Sequence, residues 1–224
     1  GPANPGTMIL ANILITAPGT PRRPLPPALA ANIASQRALH PGLPYRLFDA
    51  EALREVLRDG FGAETLAAFD TLRPYAFKAD LARYCVLYRY GGLYADLSIR
   101  FRSPWPPDPA RLGVFRDFVY AAPWAVSNSV IAAPPGHKGL ARAIDMALAN
   151  IRDRALGASA LSVTGPELLG RALARSCLPG DIIGGESVWR RIGLHRRPCA
   201  VHLGRLVAVK MKPLGKTLAD LGVE

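Results

Sequence analysis

The chain has 224 residues, half of them apolar and 20% charged. That is enough to bury a core without disulfides or a structural metal, and it is not the composition of a disordered chain. The uneven number is the charge: 28 Lys and Arg against 17 Asp and Glu leave +11, with a sequence pI near 10.1.

Of the basic residues, 23 are Arg. Guanidinium forks onto phosphate and carboxylate, so the balance points to a polyanionic partner: nucleic acid, an anionic membrane surface or a phosphate-bearing substrate. A GC-rich coding sequence would also enrich Arg. Cys85, Cys177 and Cys199 form no CxxC pair, which favours a reducing compartment. The apolar run from Met8 to Ala17 is too short to span a bilayer and lacks a basic leader. Gly1 to Thr7 reads as an expression scar, with one domain expected over 8–224.

In chain order, Ile9 to Thr16 predicts a buried strand and Leu29 to Leu39 a helix stopped by Pro41-Gly42. Tyr45 to Phe48 predicts a short strand. Asp49 caps a helix that Gly60 ends, and Glu64 to Leu72 predicts another. Phe77, Leu81, Tyr84, Cys85 and Tyr88 fall at helical spacing, predicting a helix from Phe77 to Tyr90 that Gly91-Gly92 terminates. Leu93 to Phe101 then alternates with period two, as one strand: Leu93, Ala95, Leu97, Ile99 and Phe101 on one face, Tyr94, Asp96, Ser98 and Arg100 on the other. Strands follow at Phe115 to Ala122 and Ser129 to Ala133, helices at Leu140 to Arg154 and Glu167 to Ser176. Short strands close the reading at Cys199 to Leu203 and Leu206 to Val209. Alternating strands and helices imply an α/β domain with a mostly parallel central sheet.

The informative segment runs from Arg73 to Trp105. Asp80 and Arg83 lie three apart on a helix and share a face. The glycine pair turns the chain into a strand that carries Asp96 near its exit, and ligands of open α/β sheets bind outside the carboxyl ends of the strands. A carboxylate there, beside an Asp-Arg pair, can hold a metal, a ribose or a sugar hydroxyl. The spacing alone equally describes a surface ion pair and an acid at a strand end.

Ala79-Asp80-Leu81-Ala82-Arg83-Tyr84, then Gly91-Gly92-Leu93-Tyr94-Ala95-Asp96-Leu97-Ser98, resembles the sugar-binding region of DXD-type glycosyltransferases. These are the capsular-polysaccharide and α-mannosyltransferase-like group, family 32 in the sugar-enzyme classification, and the glucosylating domains of clostridial toxins are similar. His40 to Asp49, Asn128 to His137 and Thr164-Gly165-Pro166 resemble other parts of that family. The resemblance implies a single GT-A domain, a Rossmann-like nucleotide-sugar fold. It implies a retaining glycosyltransferase (a hexosyltransferase) moving a sugar from a nucleotide diphosphate donor, a UDP-sugar being favoured, to a glycan, glycolipid or lipid-linked acceptor in surface-polysaccharide synthesis. By the same resemblance Asp80 and Arg83 grip the donor sugar and diphosphate, Tyr94 lines the donor site, and Asp96 holds ribose or metal.

Ser98 departs from the family, which has a second Asp there as a ligand of Mn²⁺ or Mg²⁺; a hydroxyl is a poorer ligand for a hard cation. The metal then binds through Asp96, Ser98, water and the diphosphate, or basic residues replace it, or activity is lost. His202 is a candidate third ligand and Lys212 a candidate partner of the diphosphate. Trp105 and Trp124 offer faces for a sugar or base, Asn128 faces the acceptor or caps a strand, and His40, His137 and His195 read as loop residues. The expected location is cytoplasmic, with the charge holding the chain peripherally at the inner membrane face. A nucleic-acid-binding module is the competing class, but the Arg residues are dispersed and no recognition motif is present, so no nucleic acid is expected.

Overall fold

The computed structural model describes residues 7–20, 23–117, 122–155, 157, 159–192, 195–202 and 205–210; from residue 185 onward it describes backbone only. The strands are β1 (Ile9–Ile13), β2 (Tyr45–Phe48), β3 (Gly92–Ala95), β4 (Ile99–Phe101), β5 (Leu112–Arg116), β6 (Val126–Ala133), β7 (Ile182–Ile192), β8 (His195–His202) and β9 (Arg205–Lys210). The helices are α1 (Pro27–Leu39), α2 (Ala50–Thr71), α3 (Tyr75–Tyr90), α4 (Lys138–Arg152) and α5 (Pro166–Ser176). All nine strands form one sheet in the order β2-β1-β3-β6-β5-β7-β8-β9-β4. Five of the first six share one direction; β6 is reversed between β3 and β5. The α/β class and mostly parallel centre follow the expectation, and the tail from β7 to β4 is antiparallel.

β1 is buried along its whole length, as its apolar run requires. The main core lies between the sheet and α2 to α5; a smaller cluster of Leu10, Leu93, Ala95, Ile99, Phe101, Trp105 and Phe115 covers the other face. The Asp49 side chain caps α2 as its type predicts, accepting from the amide of Ala52. The break in α2 falls at Gly62, which takes a φ of +82°, and not at Gly60, whose neighbour is the Arg89 side chain.

The expected continuous strand from Leu93 to Phe101 is two strands. The amide of Ile99 donates to the carbonyl of Asp96 at 2.9 Å, and this turn sends β4 away from β3. Alternation could not reveal the break, because Leu93, Ala95, Ile99 and Phe101 still enter one apolar cluster. β5 begins at Leu112 and ends at Arg116 rather than spanning Phe115 to Ala122; positions 118–121 of that expectation lie outside the described residues. β7 was not expected, since Gly184-Gly185 reads as a breaker.

Gly91 ends α3 at φ +65°, and Gly92 follows at φ +107° with β1 directly against it. A Cβ on Gly92 would stand 2.0 Å from the carbonyl oxygen of Ile9. Only glycine meets both constraints. Gly92→Ala therefore destabilises the domain by about 3 kcal/mol or more, whereas Gly180→Ala, with open space around it, changes stability by less than about 0.5 kcal/mol. Urea melts of the two variants check this.

Candidate functional site

The site is assembled at the carboxyl end of β3, where a ligand of an open α/β sheet would sit. Asp96 is the first residue past β3. Its amide donates to the carbonyl of Ser129 at 2.8 Å, and its side chain is 24% exposed. Its Oδ1 accepts from the Tyr94 hydroxyl at 2.8 Å and from Arg83 Nη1 at 3.1 Å.

Arg83 projects from α3 beneath that acid. Nε donates to the carbonyl of Ala79 at 3.1 Å, Nη1 also donates to the carbonyl of Asn128 at 2.6 Å, and Nη2 pairs with Asp80 Oδ1 at 3.1 Å. Its guanidinium lies 4.7 Å from the centre of the Tyr94 ring. Asp80 and Arg83 do share a face, but the pair is buried, with residue exposures of 8% and 6%, so it is not a surface ion pair.

Both oxygens of Asp80 are engaged. Oδ1 accepts from Asn128 Nδ2 at 2.8 Å and Oδ2 from the Thr164 hydroxyl at 3.0 Å. Asn128 Nδ2 also lies 3.3 Å from the Tyr84 hydroxyl, which donates to the carbonyl of Thr164 at 2.8 Å. The network thus ties α3 to β6 and to the turn before α5.

Electrostatically the pair is asymmetric. Burial raises the Asp80 pKa and outweighs the opposing pull of Arg83, Thr164 and Asn128. Burial opposes the charge of Arg83 too, but Tyr94, Asp96 and Asp80 overcome it, and its pKa rises. Burial also holds the Tyr94 phenol well above its ordinary value, so it remains a hydrogen-bond donor to Asp96.

Ser98 stands half-buried in the turn between β3 and β4. The strand register does not bring His202 there. Lys210 lies opposite Ile99, the residue after Ser98, while His202 lies opposite Arg205, five residues and about 16 Å farther along β9. Lys212 lies outside the described residues. Among the described residues no three His, Cys, Asp or Glu side chains gather as a ready metal site. Asp96 and Ser98 supply only oxygens, one of them charged, and that donor set fits a hard divalent ion carried on a diphosphate rather than a protein-built cage.

Trp105 packs in the core at 4.6 Å from the Phe115 ring centre. Trp124 is 52% exposed. His40 is buried rather than loose: it caps α1, its Nδ1 donates to the carbonyl of Gln36, and its Nε2 accepts from the amide of Trp105. His137 caps α4, and His195 opens β8. Glu167 lies in the first turn of α5, as expected of an acid there, and accepts from the Ser162 hydroxyl. Thr164, Tyr84, Asn12, Asn32 and Gln36 were not singled out as site residues. Asn32 and Gln36 could have been read as a polar pair four apart in an alanine-rich helix.

The chain thus has an α/β sheet with an acid at the exit of a central strand, braced by a buried Asp-Arg pair, and known proteins share parts of this arrangement. Residues 26–109 match the family described as glycosyltransferase sugar-binding region containing DXD motif, and the chain carries that region. It is 36% identical over 62 residues to an uncharacterized glycosyltransferase of Acanthamoeba polyphaga mimivirus, which covers 28% of this chain and 25% of that protein. It is 30% identical over 109 residues to inositol phosphoceramide mannosyltransferase 3 of Schizosaccharomyces pombe, covering 47% of this chain and 29% of that one. The match thus spans under a third of these relatives' length. The structure described as PaToxG glycosyltransferase shares the fold, with a TM-score of 0.59 at 18% identity over 76% of this chain and 70% of that chain.

The raised Asp80 pKa carries a sign. Its stabilising contribution is full below the unfolded carboxylate pKa of 3.8 and is lost as pH rises through the higher folded value. Asp80→Asn should therefore gain stability relative to the parent as pH rises from about 4 towards neutrality. Arg83→Met, which strands two carboxylates, should lose about 3–5 kcal/mol at neutral pH. Urea melts at both pH values test the pair.

Proposed function

We propose that the chain is a retaining glycosyltransferase that moves a sugar from a nucleoside diphosphate to an acceptor hydroxyl. One observation carries the reading: within the matched sugar-binding region, Asp96 is the partly exposed acid at a strand exit, while Asp80 and Arg83 are buried below it. A UDP-sugar is the favoured donor. The mannosyltransferase name of one relative adds a GDP-mannose arm to any donor panel.

In the reaction the bond between the anomeric carbon and the diphosphate oxygen breaks, and its electron pair leaves with the diphosphate. The acceptor oxygen forms the new bond to that carbon and gives up its proton. Stabilising charge on the leaving group is the main demand on the protein. Asp96 and Ser98 would hold Mn²⁺ or Mg²⁺, which when bound supplies Lewis-acid neutralisation of the diphosphate. Arg83 and Tyr94 orient the Asp96 carboxylate by donating to its Oδ1. Trp124 stands four residues before Asn128, within about 14 Å by chain length, and offers an acceptor sugar its exposed ring.

The acceptor we favour is lipid-linked and reached from an anionic membrane surface. Among the described residues no helix is long and apolar enough to cross a membrane, so contact would be peripheral. β7 continues six residues past Glu186, its last residue paired with β5 (to Arg116), on the side where β3 also ends. There Arg190 lies opposite Arg197 and Arg191 opposite Arg196. The register thus gathers four arginines on this extension.

A nucleotide-sugar panel with Mn²⁺ or Mg²⁺, followed by mass spectrometry, tests the enzyme; no hydrolysis or transfer from any donor would sink it. Asp96→Ala should cut turnover by about a hundredfold or more while the domain remains folded. Ser98→Asp should lower the Mn²⁺ concentration needed for half-maximal nucleotide binding, and an inert protein would show no rate at any metal level. Sedimentation with vesicles of about 30% phosphatidylglycerol should bind the chain and lose it when Arg190, Arg191, Arg196 and Arg197 become Gln. Equal loss on changing Arg58, Arg142, Arg154 and Arg175 would assign the effect to bulk charge.

A further inference from the structure

Three buried amide side chains converge on one turn. Asn12 in β1 has no exposed surface; its Nδ2 donates to the carbonyl of Ala95 at 2.6 Å and to Gln36 Oε1 at 2.8 Å. Gln36 on α1 is equally buried, and its Nε2 donates to the carbonyls of Ile99 at 2.8 Å and Asp96 at 3.2 Å. Asn32, one helical turn earlier, donates to the carbonyl of Leu97 at 3.0 Å. The carbonyls of Ala95, Asp96, Leu97 and Ile99 are therefore gripped from behind, along the stretch that carries Asp96 and Ser98.

This arrangement is costly. Buried amides must find partners, and the Oδ1 of Asn12 has none among the protein atoms. An apolar face on α1 would bury at less cost but would remove the donors that the carbonyls of Asp96, Leu97 and Ile99 accept from. The amides thus exchange packing for a fixed turn. Rigidity matters more here than in a site with two acids, because one carboxylate and one hydroxyl leave less charge to define where a metal-diphosphate sits, and small misplacement costs rate.

We infer that Asn12, Asn32 and Gln36 are positioning residues of the donor site, acting through the backbone of the turn from Asp96 to Ile99 to place Asp96 and Ser98 against the diphosphate. This rests on the donor-site reading above. Gln36→Met keeps length and apolar volume but removes both turn contacts, and Asn32→Ala removes one.

The test is calorimetric binding of UDP and GDP across a Mn²⁺ titration, with amide hydrogen exchange at Ile99 alongside. Gln36→Met should weaken nucleotide binding by about tenfold, raise the Mn²⁺ needed, and speed exchange at Ile99. Asn32→Ala should do the same to a smaller degree and serves if Gln36→Met does not fold. Leu57→Ala, a core change in α2 chosen to lose at least as much melting temperature, should leave binding within about twofold. Parent-like binding by both amide variants, or equal weakening by Leu57→Ala, overturns the positioning role alone. If the parent binds neither nucleotide, the donor-site reading fails first and this inference falls with it.

Discussion

Arg83 makes four polar contacts at once: to the carbonyl of Ala79, the carbonyl of Asn128, and the carboxylates of Asp80 and Asp96. Two of these stay on its own helix; the others reach the exit of β3 and the reversed strand β6. A planar, permanently charged fork can satisfy such divergent partners, and a lysine cannot. Removing it would break the joint between α3 and the sheet and leave two acids facing each other across a buried space.

That joint explains the division of labour among the acids. Both oxygens of Asp80 are taken, by Arg83, Asn128 and Thr164. Asp96 shares the same guanidinium yet keeps part of its side chain exposed. One buried cation between two carboxylates thus anchors one and presents the other. The turn after Asp96 is held from behind by side chains of β1 and α1, so the presenting acid is fixed on both sides.

Much of this was legible in the sequence because the signals were local. Helical spacing located α3, the glycine pair located its end, and the family pattern singled out Asp80, Arg83, Tyr94 and Asp96 before any coordinates. The division of Leu93 to Phe101 into two strands was not legible, since a turn that keeps alternate residues in one apolar cluster preserves the period-two pattern. Thr164, Asn12 and Gln36 were hidden for another reason: each acts across 60 or more residues of chain, and no local pattern encodes such a partner. His202 shows the reverse hazard. Position near the end of the chain suggested a ligand, but strand register sets it well away from Ser98.

The reversed strand β6 has a geometric consequence. In a wholly parallel sheet, only strand exits meet at the rim above the carboxyl ends. Reversal brings an entrance to the same rim, so the opening residues of β6, Asn128 among them, stand beside the exit of β3. β5 therefore ends, and β6 begins, at that rim. Change confined to that junction would leave every strand pairing around Asp96 intact.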